Sequence, residues 1–298
     1  MARQSGDRRV LHARARASQG RHVGALPRAR RGRRLYRAPS PLSTGAEALV
    51  TYRPREFWDR RLSEQFDLRG TGQPGLSEAY NRACYDLRLD VLTGALRDQG
   101  FDPRGKRVLD VGCGTGFFTA YYLARGAALT GIDIAPTSIE RLAQRHPEAR
   151  FRLADVGEAT LDERFDLVNA FDVLYHITDD AHWEHAVRTL ADAVLPEGLL
   201  LLTDTFPARG GAREAEHNRM RPLSRYRALL DPAGLETRAM LPTHVLLNRE
   251  LGGFRFLNRA PRLLYGFDRA LLALGFGHDP AVSKLLVARR VRAATTPR

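Results

Sequence analysis

From about residue 47 the apolar positions fall into two alternating periods. Short β-rich runs occur at 107–112 (RVLDVG), 127–132 (AALTGI), 150–153 (RFRL), 165–171 (FDLVNAF), 198–204 (GLLLLTD), 235–241 (LETRAML) and 284–290 (KLLVARR). Helical spacing fills the gaps at 116–125, 136–146, 181–195 and 222–233. Ahead of the first strand, Ser77 reads as an N-cap, Tyr80, Cys84, Leu87, Val91 and Ala95 form one apolar face, and Gly100 stops the helix. Strands alternating with helices in this way predict an α/β fold, a parallel sheet with helices on both faces. Such sheets bind ligands beyond the carboxyl ends of their strands, so the loops that follow strands are where chemistry is expected.

Two stretches break the rhythm. Residues 47–100 precede the first strand and are dense in aromatics and arginines; they read as a helical N-terminal cap. Residues 243–282 hold two amphipathic pieces, HVLLNRELGGFRFLNRA and PRLLYGFDRALLALGF, which read as a helical insertion or a lid. The stretch 47–291 is then the domain.

The formal charge of +13 changes little once it is located. Residues 1–46 hold 12 arginines and one acid, Asp7, whereas the remainder carries 35 basic against 33 acidic residues. The domain is therefore close to neutral, and the basicity sits in an extension without hydrophobic periodicity that is expected to be disordered, like the tail at 292–298. Arginine pairs there precede no apolar run, so neither a Sec nor a twin-Arg signal fits. A transit peptide or a nucleic-acid arm matches the composition loosely; a dispensable extension is the simpler reading. No apolar run is long enough to span a bilayer. Cys84 and Cys113 lack metal-ligand spacing, so no metal is expected and a reducing, cytoplasmic setting is the default.

The chemistry concentrates around VLDVGCGTGFFT, residues 108–119. A dinucleotide fingerprint needs a third glycine at position 117, where Phe117 stands; the glycines here are Gly112, Gly114 and Gly116, preceded by Asp110. A carboxylate at the end of that strand suits a ligand carrying an ammonium group rather than a pyrophosphate. Asp133 follows Gly112 by 21 residues and can accept both hydroxyls of a ribose. In LADVGE, Asp155 can accept from an adenine amine while Val156 offers an apolar contact.

Taken together, VLDVGCGTG, GIDIAP, ADV and FDLVNAFDVLYHI resemble, in order, the motifs of a class I S-adenosylmethionine-dependent methyltransferase of the small-molecule type. The resemblance implies a Rossmann-like sheet of seven mostly parallel strands, the last antiparallel, and S-adenosyl-L-methionine as cofactor. It implies that Gly112 and Gly114 abut the methionine part, Asp133 holds the ribose, Asp155 and Val156 hold the adenine, and Phe171 or Asp172 lies beside the sulfonium. Asp110, Cys113 and Ile134 complete the expected cofactor set.

For the acceptor, His176 after the fourth strand and His217 after the fifth are candidate bases, with Asp172 and Asp204 as further carboxylates. His176 also reads as a histidine bonded to backbone, and Asp172 as a cofactor contact. His182 and His185 are expected to be inert on a surface helix. Tyr80, Asn81 and Tyr85 are candidates to cover the donor, and Arg82 and Arg88 read as a solvated helix face. The segment FDVLY stands where an N/D-P-P-Y/F motif would mark adenine or glutamine amino methylation. A near-neutral domain does not suit a nucleic-acid substrate. A small-molecule acceptor, with a hydroxyl favoured, is the reading that results; the oligomeric state is not legible. The rival readings are an NAD(P) oxidoreductase, a non-catalytic S-adenosylmethionine-binding protein, and a nucleic-acid methyltransferase using the basic extension.

Overall fold

The computed structural model describes residues 52–208, 216–248 and 252–291. The expected disordered stretches at 1–46 and 292–298 lie outside them. Three helices precede the sheet: α1 (Pro54–Glu64), α2 (Leu68–Thr71) and α3 (Glu78–Asp98). Ser77 caps α3, its hydroxyl accepting the Tyr80 N–H, and Gly100 leaves the helix at φ +62°.

The strands are β1 (Arg107–Val111), β2 (Ala128–Asp133), β3 (Arg150–Leu153), β4 (Phe165–Ala170), β5 (Val194–Asp204), β6 (Leu235–Pro242) and β7 (Lys284–Arg290). They form one sheet in the order β3-β2-β1-β4-β5-β7-β6, with β7 antiparallel to both neighbours. The direction of the sequence order reverses between β1 and β4, so the crevice for a ligand opens above those two strands.

The intervening helices are α4 (Phe117–Leu123), α5 (Pro136–Arg145), α6 (Asp180–Asp192), α7 (Leu223–Leu230) and α8 (Pro261–Ala273). Alternate β5 residues point to opposite faces, and both faces are covered. Leu199 and Leu201 pack with Leu92, Leu96, Phe118 and Tyr122 of α3 and α4; Leu200 and Leu202 pack with Trp183, Leu190, Tyr226 and Leu230 of α6 and α7. That is why β5 reads as an unbroken apolar run.

Two boundaries differ from expectation. The fifth strand does not start at Gly198. The strand begins at Val194, paired with Phe165, and the register jumps to Leu167↔Leu199. Glu197 lies inside this irregularity at φ +64°, so the extra residues bulge within the strand. Because Val194 joins the sheet, α6 ends at Asp192 rather than at 195.

The preceding helices are fastened to the core by polar contacts. Asp59 of α1 accepts the Thr137 N–H in the first turn of α5 (2.8 Å). Arg61 donates to the carbonyls of Arg69 and Gly72, which ties α1 to the end of α2.

Candidate functional site

The carboxyl ends of β1, β2, β3 and β4 open into one cavity of about 370 Å³, roofed by α1 and the end of α2. Its floor is the β1–α4 turn. Gly112 sits at φ +66°, and a Cβ there would lie 2.4 Å from Val173 Cγ2. Gly116 caps α4 at φ +83°, and a Cβ there would lie 2.5 Å from Leu142 of α5. Both positions need glycine for conformation and for space. The close helix approach is thus made at Gly116, and Phe117 turns to the cavity wall, 4.9 Å from the Tyr85 ring.

Asp133, at the end of β2, organises this turn. Its Oδ2 accepts the Gly114 N–H (2.8 Å) and its Oδ1 the Ala135 N–H (2.9 Å). A carboxylate has about four acceptor positions, and the Ile134 N–H and the Ser138 hydroxyl also act on this one, so a ligand donor shares it with the turn. Burial raises its pKa against those backbone hydrogen bonds. Gly112, Cys113, Gly114, Asp133, Ile134, Asp155, Val156 and Phe171 all line the cavity, brought together from four strand ends. Asp155 Oδ1 also accepts the Gly157 N–H (2.8 Å).

Asp110 does not line it. Its carboxyl lies behind the turn, accepting from Thr119 Oγ1 (2.7 Å) and Asn169 Nδ2 (2.8 Å), and burial pushes its pKa up to about 6. The expected ammonium contact is corrected to an internal brace joining β1, α4 and β4.

Asp172 follows Phe171 at φ +58°, a conformation aspartate tolerates better than most residues. Thr203 Oγ1 accepts its N–H (2.7 Å), and Oδ2 pairs with Arg88 (3.1 Å). Arg88 is buried rather than on a solvated helix face; burial lowers its pKa, but Asp172 foremost, with Tyr85, Cys84 and Tyr175, outweighs this and raises it. Asp172 faces the cavity as one half of an ion pair with Arg88, and its Oδ1 accepts from the Thr203 hydroxyl (3.1 Å).

His176 lies on a 3₁₀ turn, Leu174–His176, after β4. Its Nδ1 is 3.0 Å from the His217 carbonyl oxygen. A carbonyl only accepts, so Nδ1 carries the proton and Nε2 keeps its lone pair. The ring meets Trp58 edge-on at 4.8 Å, and burial pushes its pKa down to about 4, so it is neutral at pH 7.

His217 does not line the cavity. Its ring stacks on Phe57 (5.2 Å) and on His176 (5.7 Å), and the Arg219 N–H to the Tyr175 carbonyl (2.7 Å) pins the segment. Its carbonyl accepts the His176 Nδ1–H, and its own ring packs between Phe57 and His176. Asp204 is also away from the cavity. The Tyr226 hydroxyl donates to it, and burial pushes its pKa up to about 8.

Other expectations shift as well. His182, in the first turn of α6, lines the cavity. His185 donates to the Ala159 carbonyl (3.0 Å). Tyr80 is buried and accepts the Asn248 N–H, and Asn81 holds the 73–77 turn through Gln73 and Ser77, so neither reaches the cavity. Tyr85 does line it, donating to Thr71 Oγ1 (2.8 Å). Tyr52, Trp58 and Thr71 of the roof were not singled out; the aromatic density of that stretch was visible, but not which side chains face inward. Among the described residues, no group of three or more His, Cys, Asp or Glu is placed to hold a metal ion.

Comparison with known proteins agrees with this arrangement. A family model described as a methyltransferase domain matches residues 79–239, just over half of the chain. The ubiquinone biosynthesis O-methyltransferase of Methylobacterium sp. (strain 4-46) is 39% identical over 121 residues, covering 37% of this chain and 47% of that protein. The protein of the same name from Neisseria meningitidis serogroup C (strain 053442) is 36% identical over 127 residues, covering 39% and 49%. The chain thus spans about half the length of these curated relatives.

Two solved structures share the fold. The N-methyltransferase NodS from Bradyrhizobium japonicum WM9, in complex with S-adenosyl-L-homocysteine, aligns with TM-score 0.53 and 17% identity over 80% of this chain and 98% of that one. Magnesium protoporphyrin IX methyltransferase from Synechocystis PCC 6803, with bound S-adenosylmethionine, aligns with TM-score 0.52 and 18% identity over 79% and 94%. With the family model matching across the site-bearing strands β1 to β5, the chain belongs to the methyltransferase-domain family.

Proposed function

We propose that the chain is an S-adenosylmethionine-dependent methyltransferase that acts on a hydroxyl of a small molecule. The observation that carries this reading is the convergence of the Gly112–Gly114 turn, Asp133, the Asp155–Val156 pair and Phe171 on one cavity at the point where the strand order reverses. These residues fit the cofactor. Asp133 presents a carboxylate to the cavity as an acceptor for ribose hydroxyls, Gly112 and Gly114 present bare backbone to it, and Val156 and Ile134 are apolar walls for a ring. When bound, S-adenosylmethionine supplies a methyl group already activated on a sulfonium.

The chain's own residues then have three tasks. Trp58, Leu62, Phe118 and Phe171 keep water from the reacting centre. Arg88 fixes the Asp172 carboxylate at the cavity edge, beside the β4 turn. His176, neutral and with Nε2 unprotonated, accepts a hydrogen bond from an acceptor hydroxyl and takes its proton as the oxygen becomes nucleophilic. Its depressed basicity suits an acidic hydroxyl, such as a phenol, better than an aliphatic alcohol.

The O-methyltransferase names of the curated relatives support a hydroxyl acceptor. Cys84 and Cys113 are both buried and free, in keeping with a reducing cytoplasm, and no nucleic-acid substrate is proposed. The test is release of S-adenosylhomocysteine when the protein is mixed with S-adenosylmethionine and a panel of phenols, catechols, alcohols and amines. Turnover with phenolic hydroxyls supports the proposal; turnover confined to amines, or to none, overturns it.

A further inference from the structure

We propose that residues 254–276, between β6 and β7, form a membrane-surface element that seats on anionic lipid. One side of α8 is packed: Leu264 is buried with Tyr80, Cys84 and Leu87 of α3, and buried Asp268 accepts the N–H groups of Leu246 (2.6 Å) and Leu247 (2.9 Å). The other side is apolar and open. Leu263, Phe267 and Leu274 fall at i, i+4 and i+11 and are 61%, 60% and 73% exposed. Phe254 and Phe256, on the preceding 3₁₀ turn Gly252–Arg259, and Phe276, just past the end of α8, are exposed as well, at 64%, 61% and 54%. Six of the seven exposed large hydrophobic residues among those described therefore sit between residues 254 and 276, where ordinary surfaces scatter them singly.

The charge around this face selects the occupant. Arg259 and Arg262 are exposed beside it, Arg269 is exposed but pairs with Asp90 of α3 (3.2 Å), and the only acid between residues 252 and 276 is Asp268, which is buried. Apolar side chains flanked by arginines, with no exposed carboxylate between residues 252 and 276, are the pattern of an interfacial element on anionic headgroups. A second copy of the chain fits less well, because a two-fold contact through this face would gather Arg259 and Arg262 of both copies into one interface to which residues 252–276 bring no exposed carboxylate. The placement has a consequence for the site. β6 runs parallel to β1 and β4, so the segment leaves the sheet at the edge where the cavity opens. Asn248 accepts from Gln73 Nε2 (2.9 Å), two residues beyond Thr71 in the cavity roof. An acceptor drawn from a membrane would enter from this side.

The experiment is co-sedimentation of the full chain with vesicles of mixed phosphatidylglycerol and phosphatidylcholine, and with phosphatidylcholine alone. The expected result is sedimentation that depends on phosphatidylglycerol and weakens with salt. Phe254→Ser/Phe256→Ser/Phe267→Ser should lower the partition at least tenfold, with thermal melting unchanged because all three rings are exposed. Arg259→Glu/Arg262→Glu should remove the phosphatidylglycerol dependence. Three results overturn the proposal: no sedimentation of the wild type; sedimentation of the triple variant equal to wild type, which assigns binding to the arginines of residues 1–46; or a wild-type dimer that the triple variant dissociates while vesicles capture neither. None of these depends on the cofactor, so S-adenosylmethionine titration of the same variants reports on the cavity separately.

Discussion

Acidification from pH 7 to pH 4 tests the placement of His176 through its effect on stability. In the unfolded chain the ring protonates near 6.5, whereas in the fold burial holds that step down to about 4. Between those values the unfolded state binds the extra proton, so the stability contributed by a neutral His176 is complete above 6.5 and lost as pH falls towards 4. At about 1.4 kcal/mol per pH unit the difference amounts to about 3 kcal/mol. The ring faces an open cavity, where solvent screens part of the penalty, and about 2 kcal/mol is the working figure.

The wild-type curve alone does not isolate this contribution. Asp110 and Asp204, raised to about 6 and about 8, have the opposite sign: their contributions are complete below 3.8 and lost as pH rises through the raised values. The comparison is therefore with His176→Asn, whose amide N–H can replace Nδ1–H opposite the His217 carbonyl but does not titrate. Urea unfolding of both proteins across this range gives the difference in stability at each pH. Wild type should lose its advantage over the variant by about 2 kcal/mol on acidification. A difference that stays flat would refute a depressed His176, and one that grows on acidification would mean the ring is stabilised as a cation.

Three further predictions concern the cavity. Gly112→Ala combines a left-handed backbone with a Cβ 2.4 Å from Val173 and should cost about 2–4 kcal/mol in urea unfolding, with Val173→Ala in the same chain restoring the steric part but not the conformational part. Arg88→Met leaves the Asp172 carboxylate without its partner and should cost about 3 kcal/mol; adding Asp172→Asn should recover at least half, and no recovery would show that the pair is not coupled. Methyl transfer should be unchanged by excess EDTA, since the described residues gather no ligand set; loss of activity restored by a divalent ion would contradict a metal-free site.

The sheet was largely legible because both of its faces are buried. Runs such as GLLLLTD and KLLVARR carry no helical period, and the glycine turn after β1 announces itself by three residues that space or φ require to be small. The Asp133 position was legible for the same reason: it ends a strand beside that turn. Misreadings arose where tertiary contacts decide. Asp110 and Asp133 both end strands, and only the fold reveals that Thr119 and Asn169 claim the first. Arg88 reads as surface from helical spacing, but it points at Asp172, 84 positions away in the chain. His217 and His176 look like equal candidates along the sequence, yet one presents a carbonyl and the other a free ring nitrogen. The β5 bulge was missed because Pro-Glu-Gly is a common turn, and only its pairing with β4 reveals that the strand resumes.

The central claim is tested most directly by calorimetric titration of S-adenosylmethionine, and separately of NADH, into the wild type and Asp133→Ala. The account predicts saturable binding of S-adenosylmethionine and none of NADH. It also predicts at least a 100-fold loss in the variant, since two hydrogen bonds to a charged acceptor contribute about 3 kcal/mol or more. A folded wild type that binds NADH, or that gives no heat with S-adenosylmethionine, would contradict it.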